Sequence, residues 1–494
     1  MRIIQLVLWY GSGDGVGNCL KSLSVVFDKL CIENIIWAAI TSEDIVSKKV
    51  SILKKDDFDN IKPDDILIYH FSIGCALNKA VEKLNCKKIL VYHNVTPAHF
   101  FESVDMQTYL ACLEGEKDAL NTVGHYLKCI VPSGYSKRNL VEMGWKAEDI
   151  SVIPLYNVND TQVPYSENIA KRYEGITNFL FTGRIAPNKK IEDVIKIFDY
   201  YQKNYDSSAR LFITGGANYP LYYEYLEKVI ISLRAENIIF TGRIPQEELE
   251  AYYRVASIYL SMSEHEGFCL PLLEAMKKNV VVVAYDAAAV GDTMGSAGIL
   301  LNSKKEEAVC EKIRDVLSNE NYQKKILRQQ KKHVDNYSID QYVQEIRMIL
   351  DQVNDAENIF ISNERVIAPV DIENVFVLRN RLSMLAASEV VIYGIGNMGK
   401  QCYEELKIIE ESYDMIILDN GLAGGFFNGR QVYDQSTCIS KYKNAVYIVT
   451  IQSMMPKIVF GLLKEGIKPE QILLYYYNTL FKYDAYCNRQ MRQN

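Results

Sequence analysis

Short apolar segments alternate with amphipathic ones along almost the whole chain, and that rhythm limits its fold more than any other feature. Ile3–Leu8 reads as a strand and Cys19–Leu30 as a helix. Ile66–Tyr69 and Ile89–Tyr92 read as strands, Met106–Val123 as a long helix and Cys129–Val131 as the strand after it. A second series has strands near Asn178–Phe181, Leu211–Thr214, Ile238–Phe240, Ser257–Leu260 and Val280–Ala284, with two or three helices over Glu306–Val353. A third begins with a strand at Glu389–Tyr393 and continues at Met415–Leu418 and Ala445–Thr450. Strands separated by helix-length gaps predict βαβ units and mainly parallel sheets. The expected fold class is therefore α/β.

Polar, poorly periodic stretches at Tyr156–Gly175 and Asp355–Val370 mark expected boundaries, giving domains over 1–157, 158–355 and 365–494. The 494 residues accommodate about three domains at ~150 residues each. The net charge of −7, with no Lys/Arg-rich run, argues against a nucleic-acid partner. Eleven cysteines with no C-x-x-C pair support neither a zinc site nor a disulfide framework, so reduced, mostly buried thiols and a cytoplasmic location are expected. The apolar start, Met1–Tyr10, lacks a basic leader and runs into a glycine-rich turn, so it reads as a core strand. No apolar run nears the ~18 residues of a membrane helix. Peripheral membrane contact and homo-oligomer formation stay open.

Three loops carry chemistry. In Ser261–Met276 (SMSEHEGFCLPLLEAM) a strand end leads through Glu264, His265, Glu266 and Gly267 to a helix opened by Pro271 and bearing Glu274. Ligands of parallel α/β sheets bind at the carboxyl ends of strands, and carboxylates there accept hydrogen bonds from sugar hydroxyls. In Phe181–Ile191 (FTGRIAPNKKI), Gly183, Arg184 and Lys189 precede a helix, which suits a diphosphate. In Leu8–Asn18 (LWYGSGDGVGN) four glycines allow close backbone approach to a ligand. Asp57-Phe58-Asp59 is formally a D-x-D metal signature, but it lies in a polar stretch away from a strong strand end, so no metal site is expected.

Over roughly residues 1–355 these motifs resemble the large family of retaining GT-B glycosyltransferases. The Glu-x₇-Glu pattern from Glu266 to Glu274 and the Gly-Arg-x₄-Lys pattern from Gly183-Arg184 to Lys189 carry the resemblance. It implies two facing Rossmann-like domains. It also implies catalytic roles for His93, Glu266, Arg184 and Lys189, with Glu266 on the transferred sugar and Arg184 and Lys189 on the diphosphate. Glu274 would hold the ribose. Gly15, Gly17, Gly183, Gly267 and Phe268 would surround the donor, with Ile244 beside the base. His93, in VYHNVTP, matches a family histidine near the donor sugar, and the HNVTP segment tilts the donor toward GDP-mannose. The substrates implied are a nucleotide diphosphate sugar and a saccharide or lipid-linked acceptor, with no cofactor and no metal. Three departures stand out: Cys269 replaces a usual glycine, Lys277-Lys278-Asn279 a glycine-proline, and Gly291-Asp292 a proline-glutamate.

In the last series, VVIYGIGNMGKQCYEEL places Gly394, Gly396 and Gly399 after a strand and into a helix, with Asp419 ending the next strand. This third region resembles small Rossmann-like modules appended to bacterial sugar-modifying enzymes. Two other readings stay open: a non-catalytic, transferase-like partner protein, and a nicotinamide-dependent enzyme led by residues 365–494.

Overall fold

The computed structural model describes residues 2–11, 15–41, 49–54, 56–62, 64–155, 163–356, 382, 388–408, 413–451, 455–468, 471–476 and 479–482. The chain resolves into two compact units. The first takes in residues 1–74, 78–100 and 115–368; the second takes in 369–494 with 75–77 and 101–114.

The first unit contains two parallel sheets. One is built from β1 (Ile3–Tyr10), β2 (Asn34–Thr41), β3 (Val50–Ile52), β4 (Ile66–Phe71), β5 (Lys87–Tyr92), β6 (Lys128–Val131) and β7 (Ile150–Val152). Its order is β3-β2-β1-β4-β5-β6-β7. The other is built from β8 (Asn178–Thr182), β9 (Arg210–Thr214), β10 (Ile238–Gly242), β11 (Ile258–Ser261), β12 (Val281–Tyr285) and β13 (Ile299–Leu301), in the order β10-β9-β8-β11-β12-β13. In each sheet the winding reverses once, between β1 and β4 and between β8 and β11. Beyond the strand ends at such a reversal, neighbouring loops diverge and leave a crevice. The Gly183–Lys189 loop follows β8 and the Glu264–Gly267 loop follows β11, so the two motifs flank that point.

These strands read as continuous apolar runs because helices cover both faces of a parallel sheet. The helix Ile191–Asn204 buries Ile191, Val194, Ile195, Ile197, Phe198 and Tyr201, the stripe that a 3.6-residue period requires. Some polar groups buried inside the layers are fully paired. Gln330, fully buried, donates from Nε2 to the Val280 carbonyl (2.7 Å) and accepts from the Val282 amide (3.0 Å). Leaving either unpaired would cost about 1–3 kcal/mol. The helix Ile339–Asp355 contributes Tyr342, Ile346, Ile349, Leu350 and Val353 to the same core as Ile3, Leu23 and Phe27 of the first sheet layer.

The second unit holds β14 (Glu389–Tyr393), β15 (Asp414–Leu418), β16 (Phe426–Phe427), β17 (Arg430–Tyr433), β18 (Val446–Val449), β19 (Ile472–Tyr476) and β20 (Thr479–Lys482), in the order β16-β17-β15-β14-β18-β19-β20. The centre is parallel, and β16 and β20 close the edges antiparallel. Alternate residues of β14 enter different cores, Val390 and Ile392 on one face and Val391 and Tyr393 on the other. The α/β class with three sheets therefore matches the expectation.

Some details differ. β2, β3, β7, β13, β16, β17, β19 and β20 add strands that the sequence reading did not pick out. The stretch expected as a structureless boundary contains the helix Glu167–Tyr173, with Tyr173 buried against Phe212. The three helices over 306–355 are Glu306–Ser318, Glu320–Val334 and Ile339–Asp355. The ten described cysteines are free thiols, and all but Cys31 are buried. No helix among the described residues is long and apolar enough to cross a membrane.

Candidate active site

The loops after β8 and β11 are joined backbone to backbone. The Glu264 amide donates to the Asn188 carbonyl (2.9 Å), and Asn188 Nδ2 donates to the His265 carbonyl (3.0 Å). Lys189 ends a short turn opened by Pro187, and Lys190 adopts left-handed φ 49° to swing the chain into the helix Ile191–Asn204. This places Lys189 Nζ 2.6 Å from Glu266 Oε2. Glu266 is only 7% exposed. Burial alone would raise its pKa, but the Lys189 charge and hydrogen bonds from Lys189, Ser263 and Cys269 outweigh it, and the carboxyl is held below its ordinary range.

Glu274 lies on the helix Leu270–Lys277 and accepts a hydrogen bond from Tyr253 Oη (3.1 Å). Tyr253 Oη also lies 3.2 Å from Thr182 Oγ1, on the last residue of β8. Burial pushes the Glu274 carboxyl up, and the Tyr253 hydroxyl draws it partly back. Sequence reasoning missed Tyr253, which reads as one more core tyrosine on the amphipathic helix Gln246–Val255. Arg184 is exposed, and its side chain has no partner among the described residues. So Lys189, Glu266 and Glu274 gather, directly or through Tyr253, around the carboxyl ends of β8 and β11. Arg184 follows Gly183 at the same strand end.

Gly183 has φ 142°, and a Cβ built on Gly215 would sit 1.9 Å from the Gly183 carbonyl oxygen. Two main chains therefore pack closely beside Arg184, and Gly215-Gly216 belong to the site architecture although no motif flagged them. Ile244 is partly buried at the edge of the core. Gly267 abuts the first sheet: a Cβ there would lie 2.6 Å from the His93 carbonyl oxygen, and Ser133 Oγ donates to the Gly267 carbonyl (2.8 Å). Phe268 is buried, with its carbonyl accepting from the Thr293 hydroxyl. Gly15 opens the helix Gly15–Lys29 with open space around it, and Gly17, two residues on, is buried. Residues 12–14 of that glycine-rich loop lie outside the described residues.

The departures acquire physical content. Cys269 has φ 69°, a left-handed conformation that favours glycine, and its side chain reaches the Glu266 carboxylate. Asp292 accepts from the Tyr135 amide and pairs with Arg138 (3.2 Å), linking the short helix Val290–Met294 to the helix Gly134–Glu142. Glu264 pairs with Lys304 (2.8 Å) and Lys190 (3.5 Å), a structural network. His265 is 5% exposed, and burial lowers its pKa to about 4.

His93 follows β5, with burial lowering its pKa to about 4. Its Nε2 lies 3.0 Å from His70 Nδ1. Cys19, His70 and His93 form the one trio of metal-ligating side chains gathered among the described residues, with ligand atoms within 4.8 Å of one another. Asp57-Phe58-Asp59 instead forms a short turn that buries Phe58.

In the second unit Gly394 has φ 95° and Gly396 faces open space. A Cβ on Gly399 would sit 1.9 Å from the Gly394 carbonyl oxygen, so the glycine lets the helix Asn397–Ile408 pack tightly on the turn. Asp419 accepts from the Ile395 amide (3.1 Å) and the Gly421 amide (2.9 Å), which ties it to the turn itself.

Residues 166–333 match the family model described as Glycosyl transferases group 1. An uncharacterized glycosyltransferase of Methanocaldococcus jannaschii is 22% identical over 58% of this chain and 74% of its own length. The alpha-monoglucosyldiacylglycerol synthase of Acholeplasma laidlawii is 27% identical over 36% of this chain and 41% of its own. The O-antigen chain mannosyltransferase B of Escherichia coli is 25% identical over 29% and 37%. The chain thus spans less than half the length of the latter two. Anabaena HepE, solved with UDP and glucose, superposes with a TM-score of 0.56 at 16% identity, covering 71% of this chain and all of that one. The structural likeness gives the first unit the GT-B fold, and the family match over 166–333 supports a group-1 glycosyltransferase.

Proposed function

We propose that the chain transfers a hexose from a nucleotide diphosphate sugar to a carbohydrate or lipid-linked saccharide hydroxyl, with retention at the anomeric carbon. The observation that carries this reading is the buried 2.6 Å pair of Lys189 and Glu266 at the winding reversal of the second sheet. An ionised carboxylate with one edge open accepts hydrogen bonds from sugar hydroxyls, and a cation beside it stabilises charge on a departing diphosphate. Lys189 and Arg184 supply the electrostatic work that a divalent ion would otherwise do, so the reaction is metal-independent. Glu274, oriented by Tyr253, accepts from the ribose hydroxyls. Gly15 and Gly17 border the donor from the first sheet, with Gly183, Gly267 and Phe268 as its walls and Ile244 beside the base.

In this reading the acceptor attacks on the face from which the diphosphate leaves, and the leaving phosphate takes the acceptor proton. GDP-mannose is the first donor to test, since the HNVTP segment favours it and a mannosyltransferase is among the relatives. UDP-glucose is the second, because HepE was solved with UDP and glucose. The free thiols favour a reducing compartment, the cytoplasm. Gly394, Gly396, Gly399 and Asp419 remain the candidates for a nucleotide on the second unit.

The test is donor turnover by the purified full chain against UDP-, GDP- and ADP-hexoses, with and without excess chelator. Hydrolysis or transfer from one donor, unchanged by chelator, is expected. No turnover of any donor would defeat the enzymatic reading, and loss restored by a divalent ion would defeat metal independence.

A further inference from the structure

Cys269 stands at a position whose backbone suits glycine. It precedes the helix Leu270–Lys277 with φ 69° and ψ 61°, a left-handed conformation in which a Cβ is strained. The residue ahead of a helix ordinarily keeps extended backbone and turns its side chain onto the free amides of the first turn. Cys269 does neither, and its side chain makes no bond to the helix amides. The thiol turns instead to Glu266 and donates to the carboxylate. Backbone strain beside a functional group directs attention to what the strained residue supplies.

Three donors meet on Glu266, each from a different place in the chain. Lys189 comes from the turn after β8, Ser263 follows β11 by two residues, and Cys269 opens the helix that carries Glu274. A carboxylate has about four acceptor positions, so three bonds from the protein leave about one for a ligand. Ser263 and Cys269 are 1% and 8% exposed, so water does not readily replace either bond. Burial, with the Glu266 charge adding to it, raises the Cys269 thiol well above its ordinary range. The thiol therefore keeps the proton that it donates.

We propose that Cys269 is a positioning residue: its thiol holds the Glu266 carboxylate in place while Lys189 is drawn onto the diphosphate of the donor. The inference rests on the reading above, in which Lys189 serves the diphosphate and Glu266 the sugar. Lys189 cannot give its full charge to both. As negative charge builds on the departing diphosphate, the 2.6 Å bond from Lys189 to Glu266 weakens, and the carboxylate needs anchors that do not move with it. A donor on the first turn of a helix is such an anchor. Glycine would relieve the backbone and leave that bond unmade. A purely apolar role, common for a buried cysteine, makes the opposite forecast for serine, which donates well and fills apolar space poorly.

Three variants of the full chain separate these contributions. Cys269→Gly relieves the strain and loses the thiol, Cys269→Ala keeps the strain and loses the thiol, and Cys269→Ser keeps a donor. With UDP-glucose or GDP-mannose, whichever is turned over, the glycine and alanine variants are each expected to lower kcat/KM about tenfold. That is the lower end of what a hydrogen bond to a charged group is worth, since a thiol donates weakly. Free UDP or GDP, which lacks the sugar, should bind each variant as tightly as it binds the unmodified chain. Serine should recover most of the loss. Full activity in Cys269→Gly, a serine variant as poor as alanine, or an equal loss of free nucleotide binding overturns the inference. In a Glu266→Gln background the alanine substitution should no longer change donor affinity, read by titration calorimetry; an undiminished effect there overturns it too. One measurement needs no donor. The S–H stretching band of Cys269, isolated as the infrared difference between the unmodified chain and Cys269→Ser, should lie low, as for a thiol bonded to an anion, and move up in Glu266→Gln. A band indifferent to Glu266→Gln overturns the inference and leaves the glycosyltransferase reading standing. Absence of turnover with every donor defeats that reading instead, while the band still reports the bond.

Discussion

The acidic groups at two glycine-bearing strand ends, one in each unit, are satisfied in opposite ways. After β11, Glu266 is held by the side chain of Lys189, and Glu274 by the side chain of Tyr253. After β15, Asp419 is held by the main-chain amides of Ile395 and Gly421. A side-chain partner can turn toward a ligand and share its bond. A main-chain amide in a tight turn cannot move without rebuilding the turn. The first arrangement is poised for exchange, and the second shapes a backbone. Similar motifs in a sequence thus differ, once the partners are known, in how freely their carboxylates can turn to a ligand.

The sharpest way to break that contrast is to remove one group from each side. Lys189→Ala and Glu274→Ala are each expected to lower donor turnover by about 10²–10³-fold, the usual size of a lost electrostatic contact in a transition state. Circular dichroism should show the fold retained; near-normal turnover in both variants would refute the assignment. Gly399→Val should act first on stability. Its side chain would overlap the Gly394 carbonyl, destabilising the second unit by about 3 kcal/mol or more, read by urea unfolding or protease sensitivity. A well-tolerated valine would mean that the turn is looser than this geometry. Asp419→Asn, which keeps one acceptor oxygen, should cost about 1–2 kcal/mol in the same assay.

Much of this was legible in the sequence. The strand–helix alternation identified the α/β class and all three sheets, and the spacing of Glu266, Glu274 and Lys189 marked the loops that meet. What stayed hidden depended on packing. Gln5 and His70 are polar residues inside the apolar runs of β1 and β4, and nothing local says that they face each other. Tyr253 is one of 34 tyrosines, and only the fold puts its hydroxyl between Thr182 and Glu274. The Gly215–Gly183 contact joins two strand ends far apart in sequence. Residues 12–14, 156–162 and 357–381, which include parts of the expected loop and linkers, lie outside the described residues.

Acid should expose the buried imidazoles. His93 and His265, each lowered to about 4, stay neutral in the folded chain while the unfolded chain takes up protons near 6.5. Their contribution to stability is therefore complete above the ordinary value and is lost as pH falls from about 6.5 to about 4. Glu266, also lowered, adds a loss in the same direction at the acid end. A thermal midpoint that falls across this window, less steeply in His265→Asn, is expected; a midpoint that is flat from pH 7 to 4 would contradict the burial of these groups. The smallest change is Cys269→Gly. Relief of the left-handed backbone, about 1 kcal/mol, is offset by the lost thiol contacts, so the midpoint should move by no more than a degree or two.

One feature of the first unit bears on how the protein can be taken apart. The last helix before residue 356 is sequentially the tail of the second sheet, yet its apolar stripe fills the core beside Leu23 and Phe27. A chain cut near 160 would leave the amino-terminal fragment without one wall and the carboxyl-terminal fragment with an uncovered greasy ridge. Neither piece should be soluble alone. Produced together in one cell they should find each other, and the split protein would report its own assembly through recovered donor turnover.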